Sequence, residues 1–474
     1  MANKTKIIAT IGPASNSKTI LKELISAGMN VARLNFSHGS YKQHGEVIKL
    51  IRSLSKDLNK SVGILLDLQG PKIRTGTLKD GKPVQLKAKE EFSITSRDIP
   101  GTEKIVSTTY KQLPKDVKKG DKILIDDGLI ELKVISSTNT TVKTCVIIGG
   151  ILKEHKGINL PGVDVSAPSL TEKDIQDLEF GIKAGVDYFA LSFVRKAEDL
   201  INIKSIIKKH GSDIPVIAKI EKPIAVKNID SIIEEADGIM VARGDLGVEM
   251  NPEVVPTVQK SLIAKTIAAN KPVITATQML ESMCSNAIPT RAEASDVANA
   301  IFDGTDAIML SGETASGMYP VKAVQMMSRI AAEAENSPFM RYNIQYKKDV
   351  KNLVVHAVAQ SAVNVHHEVN AKAILSFSVS GKTTKLISKQ RPASPVYAFS
   401  PDRTIYNRLS LVWGITPLLI KPIKNTKRLI EAGEKIIVDK KLVRKSDLVI
   451  IVTGLALTKG STNLIKLHMI GHED

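Results

Sequence analysis

Eight short apolar runs rich in β-branched residues recur along the chain, most of them followed by a loop and then by a segment of helical period. The runs are Lys6–Ile11, Asn30–Leu34, Val62–Leu66, Tyr188–Phe193, Pro215–Ile220, Gly238–Val241, Pro272–Ala276 and Ala307–Leu310. Between them, Ser17–Ala27, Tyr41–Leu58, Thr171–Ala184, Ala197–His210, Val254–Asn270 and Arg291–Phe302 repeat apolar residues at helical spacing. Thr171 followed by Asp174 marks a helix start. Alternating strands and helices imply parallel strands. Eight of them predict an α/β fold of the closed (β/α)₈ kind, with an open doubly wound sheet as the alternative.

The rhythm breaks after the third run. Residues 70–165 are turn-rich and strand-like, with runs at Pro83–Leu86, Glu91–Ile94, Lys122–Ile125, Leu129–Ile135 and Thr141–Ile147. They predict a small all-β, barrel-like domain inserted into a barrel made of residues 1–69 and 166–341. An insertion there overhangs the barrel's C-terminal mouth and can act as a lid that excludes water. From residue 342 to 474 a third, α/β domain is expected. Its helix is predicted at Leu353–Val365 and its strands at Ala373–Ser378, Val396–Phe399, Pro417–Ile420, Leu448–Thr453 and Leu464–Ile470.

Charge sharpens this division. The net charge of +17 is unevenly placed: Gln345–Asp474 holds 21 basic and 9 acidic residues, and the remainder outside residues 70–165 is neutral. A basic terminal domain attracts small phosphorylated anions. Aromatics make up 4% of the chain and do not interleave a basic run, which argues against nucleic acid. Two cysteines, Cys145 and Cys284, leave no disulfide framework and fit a reducing, cytoplasmic setting. No apolar run is long enough to span a membrane, and the first residues read as a strand, not a signal peptide.

In a barrel of this kind chemistry sits where strands end. Here the second run leads into Arg33, Asn35 and Ser37, and the third ends at Asp67. The fifth ends in Lys219 and Glu221, and the sixth in Arg243, Gly244 and Asp245. The seventh ends in Thr277 and Gln278, the eighth in Ser311 and Glu313. Glu221 and Asp245 are hard oxygen ligands suited to one Mg²⁺ that keeps waters and binds substrate oxygens. Lys219 shares a strand face with Glu221 and can stabilise a developing enolate or a transferring phosphoryl group. Arg33 can hold phosphate oxygens through its planar fork. The N–H groups of Gly244 and Asp245 can hold a carboxylate.

The segments NVARLNFSHG (Asn30–Gly39), LLDLQGPKIRTG (Leu65–Gly76), VIAKIE (Val216–Glu221), DGIMVARGDLGVE (Asp237–Glu249), ITATQMLESM (Ile274–Met283), PTRAEASDVANA (Pro289–Ala300) and IMLSGETASGMYP (Ile308–Pro320) stand in order along the chain. Together they resemble the pyruvate kinase family, as does KGINLPG (Lys156–Gly162) in the insertion. The resemblance implies phosphoryl transfer from phosphoenolpyruvate to ADP, the last step of glycolysis, in a homotetramer. It implies that Arg33 binds substrate phosphate and Lys219 stabilises the transition state. Glu221 and Asp245 would hold Mg²⁺ or Mn²⁺, while Gly244, Asp245 and Thr277 hold substrate. Thr277 would lie near the point of enolate protonation. Asn35, Ser37, His38, Arg74 and Lys156 would meet nucleotide phosphates, His38 having a packed structural role as its alternative. It further implies a K⁺ site built on Asn35, Ser37, Asp67 and the backbone of Leu68.

Two positions depart from the common family pattern. Lys72 stands where K⁺-using members carry glutamate, which resembles members needing no monovalent cation. Its ammonium can supply the missing positive charge. Ile224 replaces a commoner polar residue. In the last domain, Ser378, Ser380, Gly381, Lys382 and Thr383 lie between a strand and a helix and form a candidate phosphate cradle. The run ends GKT, but Ser376 stands in place of the first P-loop glycine, so an ATP-hydrolysing P-loop is rejected. The resemblance implies an allosteric phosphorylated effector there, with AMP, a sugar monophosphate and fructose 1,6-bisphosphate all open. The loop Thr453–Thr462, with Lys459, Gly460 and Ser461, can close over it. A catalytically idle sensor of phosphorylated metabolites, a nucleic-acid binder, and a different phosphoenolpyruvate-using barrel remain as alternative functions.

Overall fold

The computed structural model describes residues 3–163, 165–166, 168–340, 353–454 and 462–472. Eight parallel strands close into a barrel: β1 (Lys6–Ile11), β2 (Met29–Asn35), β3 (Gly63–Asp67), β4 (Tyr188–Leu191), β5 (Val216–Ile220), β6 (Gly238–Ala242), β7 (Val273–Ala276) and β8 (Ala307–Leu310). Each pairs with its neighbour in chain order, and β1 pairs with β8. The open-sheet alternative is thereby excluded. Every one of the eight expected runs is a strand. The fourth is shorter than expected, because Phe193 adopts a φ of 55° and turns the chain out of the sheet.

The barrel is held by two apolar layers. Outward-facing residues such as Ile7, Leu66, Phe189 and Ile239 pack against the surrounding helices. Inward-facing residues, including Ile8, Val31, Leu65, Tyr188, Ala190, Ile217 and Met240, fill the interior, and Leu411 from the last domain packs with them. Full burial of each large aliphatic side chain contributes about 1.5–3 kcal/mol. Side chains alternate along a strand, so residues two positions further on face the same way. Those residues are Thr10, Arg33, Asp67, Ser192 and Lys219. The apolar plug therefore ends and a polar floor begins at the C-terminal mouth.

The helix Glu172–Ala184 shows how local sequence fixes this frame. Thr171 Oγ1 accepts from the Asp174 N–H at 3.1 Å, and Asp174 Oδ2 accepts from the Thr171 N–H at 2.8 Å. Such a cap is worth about 1 kcal/mol. The helix ends at Gly185, in the left-handed region at φ 69°. Asp174 also accepts the N–H of Gly70 at 3.0 Å, which ties this helix to the chain leaving β3.

Between β3 and β4 lies a six-stranded sheet ordered Ile158–Asn159, Lys122–Ile125, Ile130–Ser137, Thr141–Ile148, Glu91–Thr95 and Ile105–Ser107. A two-stranded pair, Val84–Leu86 with Gly150–Leu152, accompanies it. Three of these strands, at Ile105, Gly150 and Ile158, are not among the expected runs; each is only two or three residues long. The segment has its own core around Phe92, Ile123, Leu132 and Val146.

The last segment forms a five-stranded sheet from β9 (Ala373–Phe377), β10 (Val396–Ser400), β11 (Ile415–Leu419), β12 (Leu448–Gly454) and β13 (Thr462–Met469). Its order is β11-β10-β9-β12-β13, with β13 antiparallel to β12. Strand β11 starts two residues before the expected Pro417. As the last strand in the order on its side, it tolerates a proline. Among the described residues no helix is long and apolar enough to cross a membrane.

Candidate active site

Asp67 is the centre of the polar floor. It is 1% exposed and lies between two cations. Arg33 Nε donates to Asp67 Oδ2 at 2.8 Å, and Arg33 Nη2 lies 2.6 Å from the same oxygen. Lys219 Nζ lies 3.3 Å from Asp67 Oδ1 and 2.9 Å from Glu221 Oε1. Burial alone would raise the Asp67 pKa, but Lys219 and Arg33 overcome it and hold the carboxyl below its ordinary value. Burial likewise opposes the charge on Lys219. Asp67 and Glu221 outweigh it, so this lysine stays protonated and its pKa lies well above the usual range. Removing one partner from such a buried cluster leaves an uncompensated charge, at a cost of about 3–5 kcal/mol.

Two residues of this floor were not singled out from the sequence. Ser192 Oγ accepts from Lys219 Nζ at 2.7 Å and donates to the Leu68 carbonyl at 2.8 Å. Thr10 Oγ1 accepts from Arg33 Nη1 at 2.9 Å. Both occupy the same place on their strands as the charged residues do, and that strand-end position was the available signal. Small hydroxyls carry less chemical signature than charges, which is why they escape notice.

Glu221 is 2% exposed. Its Oε2 accepts the Phe193 N–H at 2.6 Å, so the left-handed turn at Phe193 aims a backbone donor at this carboxylate. Burial raises its pKa, Lys219 opposes the rise, and the negative charge of Asp245 adds to it. Two carboxylates that disfavour one another's charge fit a divalent cation between them. Among the described residues no group of three or more His, Cys, Asp or Glu could hold a metal. A pair of acids leaves coordination positions for substrate oxygens and water, the pattern Mg²⁺ prefers.

Asp245 lies in the first turn of the helix Arg243–Glu249, which starts directly after β6. The Gly244 N–H, a candidate carboxylate donor by its sequence, donates instead to Thr277 Oγ1 at 2.7 Å. Thr277 Oγ1 in turn donates to the Ala276 carbonyl at 2.6 Å. Thr277 and Gln278 both have positive φ, 68° and 52°. A β-branched residue in that region is strained by roughly 1–3 kcal/mol and persists only where its surroundings hold it. Arg243 supplies the restraint, donating through Nη2 to the carbonyls of Thr277 at 2.9 Å and Gln278 at 3.1 Å. Its Nη1 lies 2.8 Å from Asp296. Arg243 therefore positions the turn instead of facing the mouth. Glu313, fully buried, accepts the N–H groups of Leu280 at 3.1 Å and Ser311 at 2.6 Å and braces the ends of β7 and β8.

The remaining predicted residues are more dispersed. Asn35 pairs in register with Asp67, and its Oδ1 accepts the Ser37 N–H at 3.1 Å. His38 is exposed, and its carbonyl bonds the His44 ring at 2.8 Å. Arg74 donates to the His155 carbonyl at 3.1 Å, and Lys156 pairs with Asp126 at 2.9 Å, so both are engaged within the inserted segment. Lys72 and Ile224 line a cavity of about 210 Å³ between that segment and the barrel, together with Ile158, Phe193 and Asp245. The cavity gives Ile224 a physical account: it presents an apolar surface to Ile158, Leu160 and Val163. In the last domain, Ser378 Oγ accepts the Gly381 N–H at 3.0 Å, and Gly381 has φ 73°. Thr383 and Thr462 share a hydroxyl–hydroxyl bond of 2.7 Å. Lys459, Gly460 and Ser461 lie outside the described residues.

A closed eight-stranded barrel with an inserted β segment over its mouth, and a buried cluster of Arg, Lys, Asp and Glu on its floor, defines a barrel enzyme built to handle anionic substrates. The family model "Pyruvate kinase, barrel domain" matches residues 2–324, and "Pyruvate kinase, alpha/beta domain" matches residues 356–468. A pyruvate kinase of Staphylococcus aureus (strain MRSA252) is 47% identical over 474 residues, covering 99% of this chain and 81% of that protein. A pyruvate kinase of Geobacillus stearothermophilus is 47% identical over 475 residues, with the same coverage. A crystal structure of a pyruvate kinase from Cryptosporidium parvum superposes with a TM-score of 0.93 at 40% identity, over 99% of this chain and 96% of that one. The chain belongs to the pyruvate kinase family.

Proposed function

We propose that the chain transfers the phosphoryl group of phosphoenolpyruvate to ADP, giving pyruvate and ATP. The observation that carries this reading is the buried set of Arg33, Asp67, Lys219 and Glu221 at the barrel mouth. It holds two cations in place through two buried acids, where they can meet an anionic substrate. Arg33 binds the transferring phosphoryl group, with Asp67 and Thr10 holding its guanidinium in place. Lys219, kept charged by Asp67 and Glu221, stabilises negative charge as it moves from phosphate to enolate oxygen. Glu221 and Asp245 would hold Mg²⁺ or Mn²⁺, which would supply positive charge to offset the negative charge of the substrate. Thr277, Gly244 and Asp245 hold the carboxylate end, for which the Gly244 N–H must exchange Thr277 Oγ1 for the substrate. The hydroxyl of Thr277 lies near the enolate carbon, which takes its proton through water. Asn35, Ser37, His38, Arg74 and Lys156 receive the nucleotide, and Lys156 must exchange Asp126 for phosphate to do so.

Asn35, Ser37 and Asp67 form the expected K⁺ position, and Lys72 substitutes for that ion. The loop holding Ser378, Ser380, Gly381, Lys382 and Thr383 takes a phosphorylated effector that activates the enzyme. The enzyme acts in the cytoplasm as a homotetramer. Turnover is tested by a pyruvate assay coupled to lactate dehydrogenase, with phosphoenolpyruvate, ADP and Mg²⁺. Turnover on the order of 1–10³ s⁻¹ is expected. Absence of pyruvate with the metal and both substrates saturating overturns the reading.

A further inference from the structure

At the opposite end of the barrel from this site, a cleft of about 1350 Å³ opens between the barrel and the last domain. Four helices meet there, Glu172–Ala184 among them through Ile182 and Ala184. Tyr41–Asp57 and Ala197–Lys209 bring their C-terminal ends, and Arg403–Arg408 comes from the last domain. Nine charged side chains line the cleft, six basic and three acidic.

The three acids are already matched. Asp187 lies 2.8 Å from Arg52, Asp237 lies 3.0 Å from Lys204, and Asp213 lies 2.9 Å from Arg408. Lys56, Lys208 and Arg403 remain, none with a carboxylate partner among the described residues; Arg403 lies over the Tyr406 ring at 5.9 Å. Lys56 and Lys208 belong to the barrel and Arg403 to the last domain, so their repulsion acts across the interface unless an anion sits between them. A second observation comes from the floor of the same cleft. Asn407 is 5% exposed, and its Oδ1 is buried with no hydrogen-bond partner. The Nε of Arg408, beside it, is in the same condition. A buried polar atom left unpaired costs about 1–3 kcal/mol. An unused carbonyl acceptor wants a hydroxyl donor, and an unused guanidinium N–H and three spare cations want phosphate oxygens.

We propose that this cleft binds a small hydroxylated phosphate monoester, separate from both the catalytic mouth and the loop at Ser378–Thr383. The ligand would offset most of the charge on Lys56, Lys208 and Arg403 and so draw the barrel and the last domain into one unit. It would also reach the loop indirectly. A Cβ placed on Gly381 would lie 3.2 Å from Ile405 Cγ2 and 3.4 Å from Leu409 Cδ2, so the loop packs on the helix that carries Arg403.

The test uses the full chain and glycerol 3-phosphate as the probe, with affinity read by calorimetry and location by hydrogen exchange. Lys208→Glu with Arg403→Glu should weaken binding at least tenfold, while Ser380→Glu in the other loop should leave this binding intact. In the wild type the probe should slow exchange in Arg403–Arg408 and at the end of Ala197–Lys209. Both altered side chains are exposed. Should the charge reversal still disturb folding, Lys208→Gln with Arg403→Gln decides by the same criterion. Wild-type affinity in the folded double variant, or protection confined to residues 378–384 or to the catalytic mouth, overturns the proposal.

Discussion

A lysine with its charge held by two buried acids is the most exposed point of the proposed chemistry. Lys219→Met keeps length and apolar volume but removes the charge. It should lower kcat by roughly 10²–10⁴ while phosphoenolpyruvate still binds. Unchanged turnover removes Lys219 from the mechanism. Glu221→Ala should raise the Mg²⁺ concentration needed for half-maximal rate far more than the KM for ADP, and an unchanged metal requirement would show that Glu221 is no ligand. Lys72 offers a test at the same scale. With Lys72 supplying the charge, the rate in tetramethylammonium salts should stay within about twofold of the rate in K⁺ salts. That is under about 0.4 kcal/mol of barrier. A strict K⁺ requirement sinks that substitution.

Elements carry these residues only if strand and helix keep their spacing. The helix Glu172–Ala184 approaches β4 so closely at Gly181 that a Cβ there would lie 2.6 Å from the Phe189 ring and 2.8 Å from Leu66 Cδ1. Gly181→Ala should therefore destabilise the barrel by about 1–3 kcal/mol through overpacking, despite alanine's better helix propensity. The measurement is the urea midpoint of barrel unfolding, and a gain in stability would show that the helix can slide outward freely. Much of this level was legible beforehand. The eight strand positions follow from apolar runs whose period and spacing are local properties. The strands at Ile105, Gly150 and Ile158 were not, since two or three residues without a local pattern become a strand only when a partner segment lies beside them.

The whole molecule depends on how the last domain is fastened beneath the barrel. Lys389 Nζ pairs with Asp306 at 2.6 Å, and Lys6 Nζ donates to the Ile415 carbonyl at 2.7 Å. Both lysines are buried, and burial pulls each pKa down from 10.5 to about 8. Between these values the unfolded chain binds more protons than the folded one, so stability rises as pH increases from about 8 toward 10.5. The rise is on the order of 2–3 kcal/mol for each group. Above pH 10 Tyr188, whose pKa burial raises, acts in the opposite sense. Cys284, whose pKa burial raises from 9.0 to about 11, opposes the rise from pH 9 upward, so the clean window is pH 8 to 9. Lys389→Met should flatten the rise in urea midpoint across that window, and Asp306 keeps Arg391 at 3.0 Å as its counter-ion. An identical slope in the variant would show that Lys389 titrates normally.

What the sequence by itself determined is whatever depends on short range. Apolar periodicity set the strands and helices, Thr171 and Asp174 set a helix start, and the charged strand ends marked out Arg33, Asp67, Lys219, Glu221 and Asp245. Tertiary structure decided which atoms meet. Closing the barrel put Asp67 between two cations from different strands and brought Ser192 and Thr10 in as their hydroxyl partners. It gave Arg243 to the Thr277 turn rather than to the mouth, and engaged the Gly244 N–H that looked free. The reason is physical: a residue's type and its neighbours fix its chemistry and local conformation. Its charge state and partners depend on burial and on groups far away in the chain.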